Sequence, residues 1–368
     1  MLRYLNALAV AGLLLSSCGP NTTSDKEAPK ETELKAKAPA IAYSFVTVGC
    51  NRISWSDDGK AWKASPYYNE AHANLTQLNA TFDDVLKLEH TPDYFFFTGD
   101  LVLAENPDKN VLIDQLKGWK KLYAEHAISK SAVKMVAIPG NHEFLYSEAP
   151  DYNEVPNEHA HKIWLELMGD FIAGSNGPGK GGPDSLIYDE SKLTYSIDHK
   201  GDHFVMMNTD TYDQPGKVPA HWIVNDLHSF RSAHPKGHIF LFGHKPAYDA
   251  GGAATGDASD PGFAYNQAQL DAIWDAMDTT RSEAMFSAHE HLFWAGVPAG
   301  HKSWQIIAGN GGTTLETGDF FGFTEVQVMT DGTVKAISHG RPVPKPDYGA
   351  LKGTTTPRDT FDITWSGK

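Results

Sequence analysis

One aspartate, one asparagine and three histidines sit just past the ends of apolar runs, and side chains of these types can jointly hold a metal ion. Asp100 follows Phe95-Phe96-Phe97-Thr98-Gly99, and Asn141 follows Val136-Ala137-Ile138-Pro139-Gly140. His244 follows Ile239-Phe240-Leu241-Phe242-Gly243, while His289 and His291 follow Met285-Phe286-Ser287-Ala288. A metal held this way acts as a Lewis acid and lowers the pKa of a water bound to it. The His289-x-His291 spacing sends both rings to one side if that segment is extended.

Chemistry of this kind requires several strands to end on a common rim. Short apolar runs read as buried strands, and binding groups in α/β proteins gather at the carboxyl ends of such strands. Ala42–Gly49 is β-branched and aromatic and reads as the first strand, leading into Cys50-Asn51-Arg52. Helical spacing of Leu75, Leu78, Phe82, Val85 and Leu86 predicts a helix over 70–89, with further helices near 110–126, 157–168 and 221–231. The later chain alternates differently. Hairpins are expected around His199–Asp202, around Gly300, and at Thr330-Asp331-Gly332-Thr333, where Asp-Gly is a strong turn signal. Two mixed sheets packed as a sandwich with helices outside follow from this pattern.

The first eighteen residues read as an address. Arg3 precedes an apolar stretch from Ala7 to Leu15 that is too short to span a bilayer as a helix. Leu15-Ser16-Ser17-Cys18 resembles a bacterial lipobox, which implies lipidation at Cys18. Residues 19–41 are rich in Lys, Glu, Pro, Thr and Ala and read as a disordered tether, followed by one large domain over 42–368. A formal charge of -15 without a basic stripe argues against nucleic-acid binding. With Cys18 lipidated, Cys50 is the remaining one of two cysteines, a lone thiol in an oxidising compartment that asks for a function.

Taken together, Gly99-Asp100, Gly140-Asn141-His142-Glu143, Gly243-His244 and His289-Glu290-His291 resemble the motifs of the calcineurin-like metallophosphoesterase superfamily, which includes purple acid phosphatases. The resemblance implies a four-layer αββα fold and a two-metal centre. Asp100 would bridge the ions, Asn141, His244 and His289 would complete one site, and His291 would serve the other together with a ligand from the first strand. His142 would protonate the leaving alkoxide or steady the transferring phosphoryl group, and Glu143 would orient its ring or make a local salt bridge.

Two departures stand out. Where the family usually has Asp-x-His, this chain has Cys50-Asn51-Arg52. Cys50 is read as a thiolate ligand favouring iron or zinc, as a small buried apolar residue beside a weakly held or missing metal, or as a sign of decay. PhoD-type alkaline phosphatases, of related design, also have a Ser-Cys pair there. Arg52 would grip phosphate oxygens or pair with a carboxylate, and Asn51 would add a hydrogen bond to phosphate. The position where purple acid phosphatases have a ferric-ligating Tyr is Leu103, so no tyrosinate colour is expected.

The expected protein is a lipid-anchored phosphomonoesterase of a bacterial cell envelope, on the periplasmic side of the outer membrane or at the cell surface. It is expected to be a monomer acting on small-molecule phosphate esters. Two metal ions are expected, iron or zinc beside Cys50, and manganese, zinc, magnesium or calcium at the other position. The alternatives are a phosphodiesterase or nucleotidase on the same site, and a non-catalytic surface-binding lipoprotein.

Overall fold

The structure is a computed structural model that describes residues 38–53, 71–148, 153–211, 215–251, 266–315, 317–318, 320–344 and 350–365. The segment assigned to leader and tether lies outside these, apart from 38–41, and Ile41 already belongs to the first strand. All the elements lie in one compact unit, Pro39–Lys368. No helix among the described residues is long and apolar enough to cross a membrane.

The chain begins with β1 (Ile41–Val48), α1 (Ala71–Val85), β2 (Tyr94–Thr98), α2 (Lys109–Glu125) and β3 (Lys134–Ile138). Next come α3 (Asn141–Phe144), a ribbon of β4 (Leu145–Glu148) and β5 (Asn153–Pro156), and α4 (Ala160–Met168). A second set follows: β6 (Tyr195–His199), β7 (Asp202–Met206), α5 (Ala220–Ala233), β8 (Ile239–Phe242), α6 (Gln267–Thr280) and β9 (Ala284–Ser287). The chain closes with β10 (Phe293–Gly296), β11 (Trp304–Ala308), β12 (Phe320–Met329), β13 (Val334–Pro342) and β14 (Thr356–Asp362).

Two six-stranded mixed sheets result, in the orders β14-β13-β12-β1-β2-β3 and β10-β11-β9-β8-β7-β6. Alternation with period two assigns each strand residue to a layer. Val46, Val48, Phe95, Phe97 and Ala137 face the outer layer that contains α2 and α4, while Tyr43, Phe45, Tyr94, Phe96 and Val136 face the partner sheet. In the second sheet Val205, Ile239, Leu241 and Met285 face α5 and α6, and Phe204, Phe240, Phe242 and Phe286 face inward. The expected two-sheet sandwich flanked by helices is therefore the observed architecture.

An aromatic seam joins the sheets. Phe45 meets Phe204, Phe240, Phe242 and Phe286 at centroid distances of 5.1–5.6 Å, and Phe96 stacks on Phe242 at 4.0 Å. Burying one such ring contributes about 1.5–3 kcal/mol, and its geometry with neighbouring rings adds roughly 0.5–1.5 kcal/mol. Tyr43 crosses the seam to donate to Asp202 Oδ2 at 2.6 Å, which answers its one buried polar atom.

The parallel strands β1, β2 and β3, and likewise β7, β8 and β9, end on the same side of their sheets. Helix α6, the β4–β5 ribbon and β14 are additions to the elements expected from the sequence.

Candidate metal centre

Backbone conformation at the strand ends aims the polar side chains. Asp100 follows Gly99 (φ 88°) and itself has φ 55°, while Cys50, Arg52 and His289 have φ of 56°, 52° and 67°. Left-handed backbone in non-glycine residues costs about 1–3 kcal/mol each, so surrounding bonds must hold it. Two glycines are required by closeness. A Cβ on Gly99 would stand 2.4 Å from His244 Nδ1, and one on Gly140 would stand 2.3 Å from Asp100 Oδ1.

Glu143 supplies much of the bonding. Its carboxylate accepts the N–H groups of Gly140 (2.7 Å), Asp100 (3.0 Å) and Val102 (2.9 Å), tying the loop after β2 to the loop after β3. Burial and the adjacent Asp100 charge push it up to about 8, while the three donors pull the other way. Glu143 therefore holds backbone. The His142 ring is oriented by Leu103, whose carbonyl accepts from Nδ1 at 2.7 Å.

His244, fully buried, has its Nδ1 2.8 Å from the Thr98 carbonyl. A carbonyl only accepts, so the ring proton sits on Nδ1, and in the neutral ring Nε2 carries a lone pair. That atom faces Asn141 Oδ1 at 2.9 Å and Asp100 Oδ1 at 3.1 Å. The amide of Asn141 is oriented by Glu154, which accepts from Nδ2 at 2.6 Å, so Oδ1 turns inward. His289 Nδ1 lies 3.2 Å from the same Oδ1. Lone pairs thus converge on one point, and this mixed nitrogen and oxygen donor set fits a divalent cation.

The other carboxylate oxygen has different company. Asp100 Oδ2 lies 3.0 Å from Arg52 Nε, 4.0 Å from Cys50 Sγ and 3.9 Å from His142 Nε2. Donor atoms of Cys50, Asp100 and His244 all lie within 4.8 Å of one another, so a cation could also touch sulfur. The Cys50 sulfur accepts the His289 N–H at 3.0 Å. Burial would raise the Asp100 carboxyl, but His244, His142 and Arg52 outweigh it and hold the group well below the usual carboxylate range. Burial, and then Arg52, hold His291 well below the usual imidazole value.

Of the residues singled out from the sequence around this rim, Cys50, Asn51, Asp100, Asn141, His142, Glu143 and His244 are buried, and Arg52, His289 and His291 are half-buried. Asn51 is fully buried and donates to the Gly311 carbonyl at 3.2 Å, fastening its loop. The segment carrying His289 and His291 is a series of bends rather than a strand, with His289 left-handed, so strand alternation does not govern where these rings point.

Sequence reasoning passed over three contributors. Glu154 orients Asn141, and the fully buried Lys245 pairs with Glu154 (2.7 Å) and Asp210 (3.1 Å). The third is the loop after β11. Gly49 N–H donates to the Ala308 carbonyl and Gly311 N–H to the Gly49 carbonyl, and a Cβ on Gly311 would stand 2.3 Å from that oxygen. Gly309-Asn310-Gly311-Gly312, after the apolar run Trp304–Ala308, carried the same signal as the other strand ends. Lys245 directly follows His244 past the end of Ile239–Phe242, whereas Glu154 had no comparable signal. A cavity of about 930 Å³ lies at the starting ends of β2 and β3, lined by Tyr94, Lys134 and Phe171, so volume does not mark the centre.

Residues 70–293 match the family model described as calcineurin-like phosphoesterase. No curated protein matches the chain. Among solved structures it is similar to GAP50, the anchor in the inner membrane complex of Plasmodium (13% identity, TM-score 0.41, covering 87% of this chain and 90% of that one). It is also similar to the Thermus thermophilus sulfate thiohydrolase SoxB (9%, TM-score 0.42, covering 83% and 57%) and to the phosphopantetheinyl hydrolase PptH of Mycobacterium tuberculosis (8%, TM-score 0.34, covering 72% and 88%).

Proposed function

Because this chain belongs to the calcineurin-like phosphoesterase family, we propose that it hydrolyses phosphate monoesters with a metal-activated hydroxide. The observation that carries this reading is the convergence of His244 Nε2, Asn141 Oδ1 and Asp100 Oδ1. Asp100, Asn141, His244 and His289 would hold the cation. When bound, it would bring the pKa of a coordinated water from 15.7 to about 7, supplying hydroxide near neutral pH. A second ion, as the family resemblance implies, would need the Oδ2 side of Asp100, with Cys50 and His291.

Each remaining residue has its own task. With Nδ1 donating to Leu103, His142 presents Nε2 to the site, and a proton carried there can pass to the leaving alkoxide. The Arg52 guanidinium offsets charge building on the phosphoryl oxygens, for which its planar fork is suited. Water attacks phosphorus directly, so no side-chain nucleophile is required. The chain is further proposed to be lipidated at Cys18, which would hold the enzyme at the cell envelope beside small-molecule esters.

The test is an assay of 4-nitrophenyl phosphate and bis(4-nitrophenyl) phosphate with manganese, zinc, iron, magnesium and calcium. Faster turnover of the monoester is expected, with His142→Ala lowering kcat by about 10²–10⁴-fold. Faster turnover of the diester would reassign the protein as a phosphodiesterase. Activity on neither ester with any metal would leave a binding lipoprotein.

A further inference from the structure

We infer that the Arg52 guanidinium occupies the position of a second cation, so that the centre holds one metal ion and one fixed organic cation. This rests on the phosphoesterase reading and concerns how its site is charged. The two oxygens of Asp100 divide the centre. Oδ1 faces His244 Nε2 (3.1 Å), an atom that also faces Asn141 Oδ1 (2.9 Å), whereas Oδ2 faces Arg52 Nε (3.0 Å). The Oδ1 side has converging lone pairs that require a positive charge between them. The Oδ2 side already has one, in a charge-assisted bond with both partners largely buried.

Backbone places this arginine. The N–H groups of Asn51 and Arg52 both donate to the Asp100 carbonyl, at 3.0 and 2.8 Å. Cys50 N–H donates to Gly99 O at 3.1 Å, and Ile53 N–H to Leu101 O at 3.0 Å. The segment 50–53 is thus laced to 99–101 residue by residue, with left-handed turns at Cys50 and Arg52 bending it over the carboxylate. The position of Arg52 is set by these main-chain bonds.

A second metal ion does not fit this arrangement. It would lie about 2.0–2.2 Å from Oδ2, beside a guanidinium already bonded to that oxygen. Water screens exposed charges but screens a buried pair of like charges poorly. Of the other side chains near that oxygen, His142 Nε2 stands 3.9 Å away, and Cys50 Sγ stands 4.0 Å away and accepts the His289 N–H. A guanidinium delivers its charge without needing ligands, and its planar geometry suits two phosphoryl oxygens.

The decisive measurement is metal content. Full-length protein is stripped with a chelator, dialysed against manganese or zinc, and metal per chain is determined by elemental analysis. Manganese-loaded protein is also examined by electron paramagnetic resonance. One equivalent is expected, with the six-line spectrum of an isolated manganese ion. Arg52→His, which replaces the fixed charge with a ligand, is expected to take up a second equivalent. Two equivalents in the wild type, with an exchange-coupled spectrum, would overturn the inference and leave the phosphoesterase reading intact. Retention of neither metal would remove the cation on which both rest. Should Arg52→His fail to fold, the wild-type count decides alone.

Discussion

The seam between the sheets and the rim at their strand ends are made by opposite means. In the seam, regular strands present rings to one another: Phe45, Phe96, Phe204, Phe240, Phe242 and Phe286 are all fully buried. At the rim, Cys50, Asp100, Asn141, His142 and His244 are also buried, but the backbone there is irregular. Of the eight non-glycine residues with positive φ among the described residues, Cys50, Arg52, Asp100, Glu105 and His289 belong to it. The seam lowers the free energy of the whole fold. The rim draws on that stability to keep strained loops and like-minded acceptors close together, the state a cation needs.

Breaking the seam has the largest expected effect. Phe45→Ala is expected to lower stability by about 3–5 kcal/mol, because a ring touching both sheets leaves a cavity that neither sheet can close. Manganese affinity of the folded fraction should stay unchanged, as read by denaturant melts alongside metal titration. A matched fall in affinity would show that the two regions are not separable.

Glu154→Ala makes the converse test at the rim. Without its acceptor, the Asn141 amide loses the bond that turns Oδ1 inward, and metal affinity should fall by about 10–100-fold. The metal-free melting temperature should move less than in Phe45→Ala. If it moves as much, Glu154 is chiefly a partner for the buried Lys245.

The smallest effect belongs to neither region. Early in β7, His203 lies between Asp198 (2.6 Å) and Asp226 (2.8 Å). Burial lowers its pKa, but the bonds to Asp226 and Asp198 outweigh burial and raise it overall. A raised folded pKa means stability that is fully present below about pH 6.5 and is lost as pH rises through the folded value. The stability gap between wild type and His203→Gln should therefore narrow as pH rises above about 6.5. A constant gap would mean that the charge plays no part.

Much of this was legible in the chain. The apolar run Phe95-Phe96-Phe97 reads as a buried strand, and the structure buries all three rings, split between an outer and an inner layer. The Asp-Gly turn at 331–332 joins β12 to β13 as expected. The helix over 70–89 is α1, though it spans only Ala71–Val85. Helix α6 and the short β4–β5 ribbon were not expected. The ribbon carries Glu154, whose partner Lys245 is 91 residues away, a pairing that no local pattern encodes. The extended segment on which the shared side of His289 and His291 depended is replaced by bends around a left-handed His289.

The sequence by itself determined which side chains could reach a common rim, since apolar runs ending in polar residues are a local property of hydrophobic burial and strand geometry. Only the tertiary structure decided how those side chains divide the two oxygens of Asp100. That division depends on loop dihedrals and on main-chain bonds between segments about fifty residues apart. Local composition carries no record of either, because they arise when separate strands are brought into register.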